Sequence, residues 1–120
     1  RAIKLNPKSY KAYFNRGNAK DNLGGYRGAI ADYSSAIELN PKLFQAYFNR
    51  GNAKYRLKNY RGAIEDYNKA IELNPKLFQA YFSRGAAKEV IRDMKGACED
   101  WRKASSLGDK DAASLVENQC

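Results

Sequence analysis

Small and aromatic side chains recur along this chain at one fixed step. Ala29, Ala63 and Ala97 stand 34 residues apart, as do Ala36, Ala70 and Ala104, and the aromatic column Tyr33, Tyr67 and Trp101. Gly17, Gly51 and Gly85 keep the same step, and so do Pro7, Pro41 and Pro75. A strict period of this length marks a stacked array, in which each unit buries its apolar face only against its neighbours. The phrase at 36–54 returns at 70–88 with two letters changed, and a looser copy occupies 2–20. Near-identity of surface as well as core letters fits a recent duplication or a consensus-like sequence.

Each unit predicts two helices. In the middle unit, Asn40 is expected as the cap and Pro41 at the first helical position, where a missing N–H costs nothing. The helix runs to about Arg56, and Asn59 is expected to cap a second helix from about Tyr60 to Leu73. Gly51 inside the first helix costs about 1 kcal/mol against Ala. Close approach of the partner helix at Ala63, with Tyr47 and Tyr67 filling the space beside it, is expected to offset that cost.

These columns resemble the tetratricopeptide repeat, whose pattern of aromatic, Gly, Ala, aromatic, Ala and Pro stands here as Tyr47, Gly51, Ala63, Tyr67, Ala70 and Pro75. Arg16, Arg50 and Arg84 occupy a place where the family often has Leu, and Lys20, Lys54 and Lys88 one where it often has Tyr. Their stems are expected to pack while the charged heads reach water. The resemblance implies an all-α fold, an alpha-alpha superhelix of antiparallel helix pairs in a single domain over 1–120. Residues 1–8 read as the tail of a preceding repeat, 9–42, 43–76 and 77–109 as three repeats, and 110–120 as a capping helix.

The ends depart from the middle. The chain starts at Arg1 without Met and with only the tail of a second helix, so it reads as cut from a longer array, with room for a lost leader. The open front face would expose Tyr10 and Tyr13 and suits pairing with a second copy. At the rear, Gly108-Asp109 replaces Asn-Pro. A last helix over 110–118 is expected to turn Leu115 and Val116 inward and Lys110, Asp111, Glu117 and Asn118 outward, similar to the closing segment of many bacterial proteins of this family. Cys98 and Cys120 leave two readings open. Either they meet in a disulfide across the antiparallel cap, or Cys98 fills the core place held by Ile30 and Ile64 while Cys120 is a frayed end.

Composition narrows the chemistry. The chain has no His, which removes the usual general base and the commonest zinc ligand. No catalytic set, phosphate loop or metal cluster is recognisable, so no enzyme, cofactor or metal is expected. Glu65-Asp66 and Glu99-Asp100 read as solvated charge, and Trp101 as core packing in a tyrosine column. No apolar run approaches a membrane span, so no membrane is expected among the partners. No signal peptide is visible, which favours the cytoplasm. The net charge of +9 lies wholly in residues 1–76, the rest being balanced; a basic front favours an acidic partner.

Each first helix carries a second stripe at spacings of three and four. It is Lys11, Phe14, Asn15, Asn18 and Asn22 in the first unit, Gln45, Phe48, Asn49, Asn52 and Arg56 in the middle unit, and Gln79, Phe82, Ser83, Ala86 and Val90 in the third. The resemblance puts these stripes on the concave face, where the family grips peptides. Asn offers a donor and an acceptor to an extended backbone, and the Phe column offers apolar pockets. The competing reading is that these residues only pack neighbouring units. In the chaperone-tail branch of the family a carboxylate clamp needs three cations. Here Asn18 and Asn49 fit that clamp, but Phe14, Gln79 and Ser83 stand in the cation places, so acidic chaperone tails are not expected as ligands. The leading expectation is a protein-interaction scaffold for an extended protein or peptide segment. Self-assembly is the alternative. Nucleic-acid binding is less favoured, because Arg50, Lys54, Arg56, Lys58 and Arg61 do not fall on one stripe.

Overall fold

The computed structural model describes residues 9–120, so the expected repeat tail at 1–8, with Ala2 and Pro7, lies outside the described residues. Seven α-helices follow one another: α1 (Tyr10–Asn22), α2 (Tyr26–Leu39), α3 (Phe44–Arg56), α4 (Tyr60–Leu73), α5 (Phe78–Val90), α6 (Met94–Ser106) and α7 (Lys110–Gln119). They pack as the hairpins α1–α2, α3–α4 and α5–α6, with α2 on α3, α4 on α5 and α7 closing against α6. The first helices also touch one another, α1 to α3 and α3 to α5. The stack measures 49 × 24 × 20 Å, long in one direction because each unit meets only its neighbours. The all-α superhelical repeat is therefore the architecture found.

Helix ends follow local chemistry, with one correction. Asn59 accepts from the Gly62 N–H at 3.0 Å and caps α4 as expected; Ser9, Asp93 and Asp109 do the same for α1, α6 and α7. Asn40 and Pro41 do not open α3. Asn40 starts a tight turn instead: its side chain accepts from the Lys42 N–H at 3.2 Å and its carbonyl from the Leu43 N–H at 3.2 Å. Pro at the second place of such a turn supplies the required φ, and Asn at the first closes it through its own side chain. The helix begins only at Phe44, and the same turn recurs at Asn74-Pro75.

The recurrent helical glycines are explained by contact. A Cβ on Gly51 would lie 2.9 Å from the Tyr67 ring and 3.2 Å from the Ala63 carbonyl oxygen. Gly17 meets Tyr33 and Gly85 meets Trp101 in the same way, at 2.8 and 2.6 Å. The aromatic ring presses on the glycine harder than the facing alanine does. Tyr33, Tyr67 and Trp101 are the largest fully buried side chains, among the buried alanines of the Ala29 and Ala36 columns.

The largest departure from expectation concerns charge. The heads of Arg16, Arg50 and Arg84 do not reach for water, and Asp66 and Asp100 are not solvated: with Asp32 they are at most 4% exposed. Each aspartate receives a two-pronged guanidinium from the first helix of its hairpin, with distances of 2.6–2.9 Å. Lys20, Lys54 and Lys88, one turn along, add an ammonium at 3.1 Å. Arg and Lys four apart share one helix face, and the long stems reach across the hairpin. The arginines also stitch units together: Arg50 donates to the Ser34 hydroxyl at 3.0 Å and Arg84 to the Asn68 amide oxygen at 2.8 Å, both in the preceding unit.

At the rear, Ala112 is buried and Leu115 and Val116 pack against a core of Tyr81, Ala97, Cys98, Trp101 and Ala104. Lys110, Asp111, Glu117 and Asn118 are exposed. Cys98 and Cys120 are joined by a disulfide, 22 residues apart in sequence and 5.9 Å between Cα atoms, which resolves the two open readings in favour of the bridge.

These ties predict three outcomes. Burial pushes the Asp32 carboxyl up, but hydrogen bonds and charge from Arg16 and Lys20 outweigh it and hold the group below its ordinary value. A depressed carboxylate contributes stability that is complete above the unfolded value and is lost as pH falls through the folded one. Urea denaturation should therefore give a flat plateau down to about pH 5 and a steep loss below about pH 4, with a shallower acid slope in Asp32→Asn. Asp66→Ala, which strands Arg50 and Lys54, should cost about 3 kcal/mol at neutral pH. For the cap, opening the disulfide by Cys120→Ser removes a constraint worth about 3 kcal/mol by loop entropy. Hydrogen exchange should rise across α7 and stay unchanged across α3 and α4; equal exchange in α7 with and without the bond would refute the tie.

Candidate functional site

The first helices α1, α3 and α5 lie side by side and present one continuous face. The expected site residues fall on it at two depths. Lys11, Asn15, Gln45, Arg56 and Gln79 are exposed; Phe14, Asn18, Phe48, Asn49, Asn52, Phe82 and Ser83 are half-buried. None is sealed inside. The phenylalanines have one side on their own unit and one side outward. Phe14 lies 5.9 Å from Tyr33 and Phe48 5.9 Å from Tyr67, both in tilted contact, and Phe82 packs on the rear core.

The asparagines are more committed than their spacing implies. Asn18 accepts from the buried Tyr33 hydroxyl at 2.7 Å, and Asn52 accepts from the Tyr67 hydroxyl at 2.5 Å. Burial pushes both tyrosine hydroxyls well above their ordinary pKa, so each remains a donor at any ordinary pH. Asn49 donates to the Asn18 oxygen at 3.0 Å and links adjacent units. The pattern breaks in the third unit, where Ala86 offers no acceptor. There Trp101 replaces Tyr, and its ring N–H donates to the Phe82 carbonyl at 3.3 Å. Thus Asn18 and Asn52 hold the core and line the face at once.

The face deepens into one pocket of about 540 Å³. Asp21 and Asn22 of α1, Asn52, Tyr55 and Arg56 of α3, and Phe82, Ser83 and Ala86 of α5 line it, with Tyr67 beneath. Of the expected stripe it gathers Asn22, Asn52, Arg56, Phe82, Ser83 and Ala86, whereas Lys11, Phe14, Asn15, Asn18, Gln45, Phe48, Asn49, Gln79 and Val90 lie outside its lining. Asp21 and Tyr55 are lining residues that sequence reasoning missed; the available signal was their place beside Asn22 and Arg56 at the ends of α1 and α3. Arg56 lies 6.0 Å over the Tyr26 ring, which fixes it at the rim between units. The lining thus combines aromatic rings, a carboxylate and a guanidinium. Among the described residues no cluster of three His, Cys, Asp or Glu side chains could hold a metal ion, and no helix is long and apolar enough to cross a membrane.

Comparison with known proteins agrees with the fold. Two models described as tetratricopeptide repeat match residues 1–31 and 44–77, and one described as TPR repeat matches 22–58, so together they run through 1–77. No curated protein matches the sequence significantly. Among solved structures, the first TPR of Spaghetti (RPAP3), bound to the HSP90 peptide SRMEEVD, is 26% identical with a TM-score of 0.87, over 98% of this chain and 94% of its own. The first TPR domain of the human RPAP3 protein is 27% identical with a TM-score of 0.85, over 94% and 91%. MamA is 30% identical with a TM-score of 0.85 over 91% of this chain, which spans 64% of the MamA chain. Period, hairpin packing and these matches converge: the chain belongs to the tetratricopeptide repeat family.

Proposed function

We propose that this protein is an interaction scaffold that holds an extended segment of a partner polypeptide along the face of α1, α3 and α5. The observation that carries the reading is the half-buried phenylalanine column beside an open pocket of about 540 Å³. Phe14 and Phe48 are braced from behind by Tyr33 and Tyr67 and Phe82 by the rear core, which leaves the outer side of each for an apolar side chain at intervals set by the repeat. Braced aromatics bind with little loss of side-chain freedom. The Asn18–Asn49 pair supports the same reading. Its internal bond uses the Asn18 oxygen and one Asn49 N–H, so the Asn18 amide N–H and the Asn49 oxygen keep a donor and an acceptor for a ligand. An extended backbone presents the complementary pair.

The peptide held by the RPAP3 domain supports a protein partner in general, and not that peptide here. Its acidic carboxyl end would need cations on the groove face, and Phe14, Gln79 and Ser83 stand where the clamp places them. Arg50 and Lys54, which the net charge suggests as free cations, are engaged with Asp66. An acidic partner, if the basic charge selects one, would meet Lys11 and Arg56 on the groove face and the rest of that charge outside it.

Panning the intact chain against a random linear peptide library, followed by fluorescence anisotropy on a selected peptide, tests the reading. Phe48→Ala is expected to weaken binding at least tenfold, about 1.4 kcal/mol, and Asn49→Ala severalfold, with circular dichroism unchanged. SRMEEVD is expected to bind far more weakly than the selected peptide. Peptides that bind both variants as tightly as the parent would refute the groove assignment.

A further inference from the structure

The two long edges of the stack differ in charge. The turns α1–α2, α3–α4 and α5–α6 share one edge, as the Arg56 contact with Tyr26 between neighbouring turns shows. Residues 22–28, 56–62 and 90–96 on this edge carry six cations, Arg27, Arg56, Lys58, Arg61, Arg92 and Lys95, against one carboxylate, Asp93. All six cations are exposed, while Asp93 is engaged in capping α6. Windows of the same length on the opposite edge, 38–44, 72–78 and 106–112, carry three cations and four carboxylates. Asp21 and Glu89 lie just inside the basic edge, towards the groove.

Three of these cations are placed against their own helices. Arg27, Arg61 and Lys95 sit in the first turn of α2, α4 and α6, none of which has an acidic residue there. A cation at a helix N-terminus opposes the macrodipole and destabilises the helix. A placement unfavourable for folding, repeated in three units, points to a use outside the chain.

The same edge carries apolar tips. Of the four large apolar side chains that stand exposed among the described residues, three are here: Leu23 at 88%, Val90 at 43% and Met94 at 36%. Leu23 precedes Gly24, which adopts φ +82° with open space around it, so the leucine projects from the surface. A projecting apolar tip finds no complement on a phosphodiester backbone, and it offers a peptide no trench. It gains by entering a yielding apolar layer whose surface is negative.

We propose that this edge docks the protein on an anionic bilayer surface, the cations against phospholipid headgroups and Leu23, Val90 and Met94 entering the interfacial layer. The protein lies on the membrane and does not span it. The edge adjoins the groove and shares Arg56 with its pocket, so the proposal rests on Arg27, Arg61, Lys95 and Leu23, which line no part of that pocket.

Sedimentation of the intact chain with vesicles tests it. Partition is expected onto phosphatidylcholine vesicles containing about 30 mol % phosphatidylserine and not onto phosphatidylcholine alone, and it should fall with added salt. Arg27→Glu/Arg61→Glu/Lys95→Glu should lose about a hundredfold in partition; it should also fold at least as well as the parent, because Glu suits a first helical turn. Leu23→Ser should lose about tenfold. Lys42→Glu/Lys76→Glu/Lys110→Glu on the opposite edge, and Phe48→Ala in the groove, should partition like the parent. Absent partition, or equal loss from the opposite edge, would overturn the proposal. So would a Leu23→Ser variant unchanged on vesicles while short DNA or RNA duplexes bind as tightly, which would mark the edge as a general polyanion surface.

Discussion

The buried carboxylate at the heart of each hairpin is the interaction on which the rest of the stack depends. Asp32, Asp66 and Asp100 lie on the second helices with almost no exposure, and each is held by an arginine and a lysine from the first helix. A carboxylate removed from water is tolerated only with strong partners in good geometry. That requirement fixes where the first helix lies against the second, because the two-pronged bond admits one arrangement. The spare nitrogen of Arg50 and Arg84 then reaches the preceding unit. One side chain thereby sets both the closure of its own hairpin and the register of the next.

Apolar packing follows from that frame. With helix positions set, the aromatic ring of each second helix lies on the glycine of the first, closer than any Cβ permits. The core is built mostly from alanines and three large rings, so helices approach closely and much of the long apolar surface is left for contacts between units. The cap ends the series. α7 covers the last core with Ala112, Leu115 and Val116, and the disulfide holds its far end to α6.

The groove is a product of the same economy. Tyr33 and Tyr67 need acceptors once buried, and Asn18 and Asn52 supply them from the inner face. Side chains that look like free ligand contacts therefore also complete the core. What remains outward is the far side of each phenylalanine, atoms of Asn18 and Asn49, and the pocket lined by α1, α3 and α5. In the third unit Ser83 and Ala86 replace the two asparagines, and Trp101 turns to a main-chain acceptor. The face is thus polar towards the front and more apolar towards the rear.

The repeat, the helix pairs and the small-residue contacts were determined by sequence alone, because a strict period leaves each column only one kind of environment. The ends of α3, α4 and α7 were within a few residues, apart from Asn40 and Asn74, whose Asn-Pro pairs serve a turn as readily as a helix start. The expected stripe does share one face, but its pocket also includes Asp21 and Tyr55, which belong to it only because neighbouring units meet there. The fate of the charges was decided by tertiary structure. Asp66 beside Glu65 looks like surface charge, and nothing local distinguishes the two; Asp66 is buried because Arg50 and Lys54 arrive from a helix 16 and 12 residues earlier. The pairing of Cys98 with Cys120 was likewise settled by the packing of α7 against α6. Local pattern fixes which face of a helix is apolar, whereas which charges lose their water depends on what the rest of the chain brings across to meet them.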